Sequence, residues 1–146
     1  MSQLTVIYAT ETGNSEDLAK KTKETAEAKG IEVKLIAVED YSVDDLAGES
    51  RLVFIGSTQG DGEPPECGWD FHDALKEASL DLSGLNYSVV ALGDTSYGDM
   101  FCAFGKFVEA EFNRMGATAI LPRVDCDYDF DDTYADWSER FFAAID

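Results

Sequence analysis

A doubly wound α/β fold with a five-stranded parallel sheet is the architecture this sequence predicts, on three observations. Short β-branched or apolar runs alternate with longer amphipathic segments, with no repeat or low-complexity linker between them. The short runs lack strict polar alternation, which suits strands covered on both faces. Polar, glycine-containing loops follow the first, third and fourth runs, and in such sheets ligands sit beyond the carboxyl ends of the strands where strand order reverses.

The strands are expected over residues 4–9, 32–38, 51–56, 87–93 and 118–126. Between the first two, residues 15–29 form a helix: Glu16 and Asp17 stand in its first turn, Lys20, Lys21 and Lys23 follow, and Gly30 stops it. The segment 39–48 fits neither periodicity. A second helix begins after Pro64-Pro65 and runs through Trp69, Phe71 and Leu75, with Trp69 expected in its core face. Phe104, Phe107, Val108, Phe112 and Met115 recur at helical spacing up to Gly116, and Tyr134, Trp137, Phe141 and Ile145 do so near the C-terminus. Both stripes read as core.

The turn Thr10-Glu11-Thr12-Gly13-Asn14-Ser15 follows the first strand and opens the first helix. Unpaired backbone N–H groups and the positive end of the helix dipole converge there, which suits an anion. Thr10, Thr12 and Ser15 supply hydroxyl donors, and Gly13 permits close backbone approach. No Lys follows the glycine, as a triphosphate loop requires, and a dinucleotide fingerprint needs two further glycines. A single terminal phosphate fits better. Asn14 and Ser15 ahead of Glu16-Asp17 would equally start a helix with no ligand, so the turn alone leaves both readings open.

With 146 residues the chain has the length of one domain, expected over 1–146. Cys67, Cys102 and Cys126 are odd in number and form no Cys-x-x-Cys pair, so reduced thiols are expected and neither a disulfide framework nor a zinc site is favoured. Without a signal segment or membrane span, a soluble cytoplasmic protein is expected. The formal net charge of -19 argues against nucleic-acid or anionic-membrane binding and points to basic partners. Solubility or salt adaptation accounts for the same excess of acid.

Taken together, the loops resemble those of the flavodoxin family, and the resemblance spans essentially the whole chain. The phosphate turn is similar to the family pattern Thr/Ser-x-Thr-Gly-x-Thr/Ser, and Ala91-Leu92-Gly93-Asp94-Thr95-Ser96-Tyr97 matches its second ring-binding loop. The stretch Ser57-Thr58-Gln59-Gly60-Asp61-Gly62-Glu63-Pro64-Pro65 is similar to the FMN domains of diflavin reductases such as sulfite reductase. With no long insertion in the fifth strand, the chain resembles the short-chain members. The resemblance implies a three-layer sandwich with strand order 2-1-3-4-5 and helices on both faces.

It also implies non-covalent FMN, its phosphate held by Thr10, Glu11, Thr12, Gly13, Asn14 and Ser15. The isoalloxazine would lie between Ser57, Thr58, Gln59, Gly60 and Asp61 on one side and Leu92, Gly93, Asp94, Tyr97, Asp99, Met100, Phe101 and Cys102 on the other, with Tyr97 stacked on the ring. The family function so implied is a low-potential one-electron carrier, an electron-transfer protein more than an enzyme. Its partners would be a ferredoxin/flavodoxin-NADP reductase and an acceptor enzyme, each with a basic surface, and it would act as a monomer. The Gly60-Asp61 peptide would turn to meet a proton gained at the ring, a movement glycine permits at little steric cost. Glu11, Asp61, Glu63, Asp94 and Asp99 would oppose the second, anionic reduction step. Two departures from the family pattern stand out: Gln59 replaces a frequent aromatic residue, and one extra residue separates Tyr97 from Phe101-Cys102.

Other constellations carry less. The acidic run 125–132 has Phe130 where a calcium loop needs glycine and Asp136 where it needs glutamate, so no metal site is expected. His72, the lone histidine, stands in a helical pattern without a nucleophile motif and is expected on the helix surface. A small FMN-dependent reductase would need a substrate pocket and a nicotinamide site that no extra segment supplies. A receiver-type signalling module would need an aspartate after the third strand, where Gly56-Ser57-Thr58 stands.

Overall fold

The computed structural model describes residues 3–9, 14–57, 68–92, 103–121, 123–126 and 131–145. Strand β1 (Gln3–Ala9) leads to helix α1 (Asn14–Ala28), then β2 (Glu32–Ala37), two 3-10 turns (Val38–Asp40 and Val43–Gly48) and β3 (Arg51–Ser57). Helix α2 (Trp69–Glu77), β4 (Asn86–Leu92), α3 (Ala103–Arg114), the short strands β5 (Thr118–Ala119) and β6 (Val124–Cys126), and α4 (Asp131–Ile145) complete the order. All strand pairs are parallel, in the order β2-β1-β3-β4-β5, with β6 also on β4. The expected strand order and two-sided cover are therefore found. The segment 39–48 is the 3-10 region, with Val43 and Leu46 buried.

Each strand feeds two cores because its side chains point alternately to opposite faces. Ile7, Ala9, Leu52, Phe54, Tyr87, Val89 and Ala91 meet Phe71 and Leu75 of α2 and Phe104, Val108 and Phe112 of α3. Leu4, Val6, Val53, Ile55, Val90 and Leu92 meet Leu18 and Ala19 of α1 and Tyr134, Trp137 and Phe141 of α4. Both apolar stripes of α3 and α4 are thus core, with Phe107 and Ile145 at the margins. Phe142, outside the predicted stripe, is buried too, widening the face that α4 turns to the sheet.

Helices α1 and α3 stop in the same way. Gly30 and Gly116 adopt positive φ of 82° and 97°, a region that carries little penalty only for glycine. Gly30 N donates to Glu27 O at 3.1 Å and Ile31 N to Ala26 O at 3.0 Å, while Gly116 N donates to Asn113 O at 3.1 Å and Ala117 N to Phe112 O at 3.0 Å. These paired bonds satisfy carbonyls that the helix leaves open.

Two expectations need correction here. The fifth strand is not continuous over 118–126. Thr118 N donates to Leu85 O and Ile120 N to Tyr87 O, so the next donor of this ladder would be residue 122, which is proline and has no N–H. Pairing resumes two residues out of register: two residues separate Tyr87 from Val90 on β4, and four separate Ala119 from Val124. Trp69 is not in the core either, being 40% exposed. Phe71 and Leu75 share the buried face of α2, and Trp69, two residues before Phe71, falls about 200° around the helix from it.

Candidate cofactor site

Four residues separate β1 from α1, since Ala9 closes the strand and Asn14 opens the helix. Ser15, in the first turn, is fully buried. Glu16 and Asp17 share that turn, and Lys20 lies one turn on, its Nζ 3.1 Å from Glu16 Oε2. The hydrogen bond and charge of Glu16 hold the Lys20 ammonium above its ordinary pKa. Burial, with the nearby Glu16 carboxylate, likewise raises the phenol of Tyr8 on β1.

The register brings the carboxyl ends of the strands side by side. Ala9 pairs with Gly56, Gly56 with Ala91, Ser57 with Leu92, and Leu92 with Cys126. Segments 10–13, 58–67, 93–102 and 127–130 therefore leave the sheet from neighbouring positions along one edge. Strands β1 and β3 flank the point at which strand order reverses. A doubly wound sheet opens its ligand crevice there, and the N-terminus of α1 faces it.

Of the residues predicted to bind the cofactor, Asn14 opens α1, Ser15 is buried in its first turn, Ser57 ends β3, and Leu92 ends β4 at 5% exposure. Thr10, Glu11, Thr12, Gly13, Thr58, Gln59, Gly60, Asp61, Gly93, Asp94, Tyr97, Asp99, Met100, Phe101 and Cys102 lie outside the described residues, as does Cys67. The scaffold that aims these segments is described. Among the described residues no group of three or more His, Cys, Asp or Glu side chains is placed to hold a metal ion. In the acidic run 125–132, Asp125 is engaged by a cation of the chain itself: Arg123 Nε donates to its Oδ1 at 2.7 Å and Nη2 to its Oδ2 at 3.2 Å.

Three positioning features escaped the sequence reading. Arg123 also donates through Nη1 to Glu109 Oε1 of α3, so its guanidinium ties the second piece of the fifth strand to that helix. Bonding to Asp125, aided by Glu109, holds this guanidinium above its ordinary pKa. Alternation along a strand puts residues 123 and 125 on one face, a signal for the Asp125 pairing that sequence does carry. Gly105 allows α3 to lie close on β4, since a Cβ there would sit 2.3 Å from Ala91 Cβ. His72 is half-buried against α3, contrary to its expected place on the helix surface: its ring stacks on Phe107 at 4.1 Å with 20° between planes, and its Nδ1 lies 3.2 Å from Asp73 Oδ1. Helix α2 packs on α3 through this side, which removes His72 from full solvent exposure.

These features define a doubly wound α/β protein with a helix N-terminus at its switch point. The flavodoxin family model matches residues 6–139, and the chain belongs to that family. Curated relatives include the sulfite reductase [NADPH] flavoprotein alpha-components of Vibrio vulnificus, 37% identical over 139 residues (94% of this chain and 22% of the relative), and of Photobacterium profundum, 39% identical over 142 residues (97% and 23%). The chain thus spans about a quarter of these relatives' length. Solved structures that share the fold include a short-chain flavodoxin associated with a bacterial microcompartment, at 29% identity, TM-score 0.84 and full coverage of both chains. A flavodoxin mutant of Pseudomonas aeruginosa aligns at 26% identity and TM-score 0.84 over 98% of each chain.

FMN is the cofactor of this family, and the described frame fits it: a long helix aims its N-terminus at the switch point, and a buried serine stands in the first turn. The chain is a flavodoxin-like FMN-binding electron-transfer domain. Among the described residues no helix is long and apolar enough to cross a membrane.

Proposed function

We propose that this chain is a low-potential carrier that moves one electron at a time from a reductase to client redox enzymes, with residues 1–146 acting as one unit. The observation that carries the reading is the register at the switch point, which starts four chain segments side by side around the N-terminus of α1. Bound there, FMN supplies the redox chemistry. The protein binds and orients it: Thr10, Glu11, Thr12, Gly13, Asn14 and Ser15 hold the phosphate through backbone N–H and hydroxyl groups. Ser57, Thr58, Gln59, Gly60 and Asp61, with Leu92, Gly93, Asp94, Tyr97, Asp99, Met100, Phe101 and Cys102, enclose the ring.

Acidic surroundings favour the first reduction over the second. Near the strand ends Glu16, Asp17, Asp131 and Asp132 stand in the first turns of α1 and α4, and the cations Lys20 and Arg123 are both paired with carboxylates. Negative charge raises the cost of placing more negative charge nearby. The net charge of -19 suits reductase and acceptor enzymes with basic docking faces, which it would draw in by long-range attraction. A narrower reading has the chain serving one dedicated enzyme, favoured by its 37% to 39% identity with sulfite reductase flavoproteins.

Stepwise anaerobic reduction followed by visible absorption, with the released cofactor identified, tests the proposal. Two resolved one-electron steps on bound FMN support the carrier. Direct two-electron bleaching favours a reductase-type enzyme, and failure to bind FMN overturns the proposal.

A further inference from the structure

Trp69 stands apart from every other large apolar side chain described. At 40% exposure it is the exposed large hydrophobic residue among the described residues, whereas Trp137 is 1% exposed. Its pose is held. The indole meets the His72 ring edge-on at 5.4 Å and 68°, His72 stacks on Phe107 at 4.1 Å, and Phe104 lies 6.3 Å from the same imidazole. A tryptophan restrained in this way loses little side-chain entropy when something closes over it.

Its surroundings and place give the patch a direction. Asp70 and Asp73 stand one and four residues after Trp69 on α2, both exposed, with the Asp73 side chain 71% exposed. Lys76 lies two turns on from Trp69 along the same face of α2, adjacent in sequence to Glu77, and Lys106 stands on α3. Trp69 follows segment 58–67 almost directly, and Phe104, which reaches His72, follows segment 93–102. The patch therefore adjoins the edge from which both ring-binding segments emerge.

We propose that Trp69, rimmed by Asp70 and Asp73, is the docking anchor for a redox protein with a basic surface around an apolar pocket, seated beside the electron-transfer edge. This rests on the carrier reading above and names the surface it uses. Exposed tryptophans in a polar ring are the side chains that dominate interface energetics, and the carboxylate rim selects a partner of opposite charge. A second copy of this chain, also carrying a formal charge of -19, is disfavoured by repulsion.

The test uses the full chain loaded with FMN and a ferredoxin-NADP reductase with NADPH as the probe. With 5-fluorotryptophan in both positions, addition of the reductase should shift or broaden the Trp69 fluorine resonance and leave that of Trp137 in place. Trp69→Ala should raise the carrier concentration giving half-maximal reduction about tenfold, without changing the rate at saturation or the photochemical reduction of the bound flavin. The double change Asp70→Asn with Asp73→Asn, which keeps the tryptophan, should raise it about threefold and flatten its salt dependence. An unmoved Trp69 resonance, or unchanged half-maximal concentrations in the variants, overturns the proposal. So does a Trp69 resonance that depends on the chain's own concentration with no reductase present. Wild-type protein that binds and photoreduces FMN but is not reduced by the reductase overturns the docking proposal alone; a chain that takes up no FMN overturns the carrier reading beneath it.

Discussion

The indole N–H of Trp137 donates to the hydroxyl of Ser88 at 2.8 Å, joining α4 to strand β4 through two fully buried side chains. The bond resolves two conflicts at once, a serine inside a parallel sheet and a buried indole that needs an acceptor. Ser88→Ala leaves the N–H without that partner and should lower the unfolding free energy by about 1–3 kcal/mol in urea titration. In the Ser88→Ala, Trp137→Phe double variant the loss should be smaller than the sum of the single losses, because the bond is removed only once.

Gly105 sets the distance between α3 and β4. A methyl group there would lie 2.3 Å from Ala91 Cβ and 3.3 Å from Ala91 Cα, so the helix must move. Gly105→Ala should cost about 1–3 kcal/mol of stability, the usual range for overpacking. Because α3 begins where segment 93–102 ends, FMN binding should weaken as well. Adding Ala91→Gly should recover part of both losses, read by urea titration and by fluorescence quenching of FMN.

Arg123 holds β6 against α3 by sharing one guanidinium between Asp125 and Glu109, side chains that are 26% and 23% exposed. Removing it leaves two carboxylates near each other without a counter-charge. Arg123→Ala should destabilise the chain by about 2 kcal/mol and speed hydrogen exchange most at Val124–Cys126. Arg123→Lys should recover little of this, because an ammonium lacks the planar fork that spans both partners.

The Tyr134 hydroxyl lies 2.7 Å from Thr22 Oγ1 inside the α1 and α4 interface, and burial pushes its phenol above the ordinary value of 10.0. Tyr41, buried and bonded to Glu49, and Tyr87, buried and close to Glu109, shift the same way. A phenol raised in the folded state stays protonated there while it ionises in the unfolded chain. Its contribution is therefore intact below about pH 10 and is lost as pH rises toward the folded value. Urea unfolding across this range should show falling stability, with a shallower fall in Tyr134→Phe than in wild type. An identical slope in the two proteins would remove Tyr134 from the explanation.

Much of this architecture was legible in residue order. The apolar runs locate the strands, Gly30 and Gly116 mark the helix ends, and the loops that follow β1, β3 and β4 identify the switch-point edge and resemble those of the family. These signals are local, since strand alternation, helical period and turn chemistry act over a few neighbouring residues. The same local reading misplaced Trp69, because it grouped the residue with Phe71 and Leu75 without following their angles around the helix. It also joined 118–126 into one strand, because the interruption shows only when the donor positions are counted against β4 and reach Pro122. Tertiary structure alone decided that Ser88 serves Trp137, that Gly105 receives Ala91, and that His72 lies on Phe107. Each is a contact between separate elements, and its partner is chosen by how helices settle on a shared sheet, a collective packing outcome that no single segment encodes.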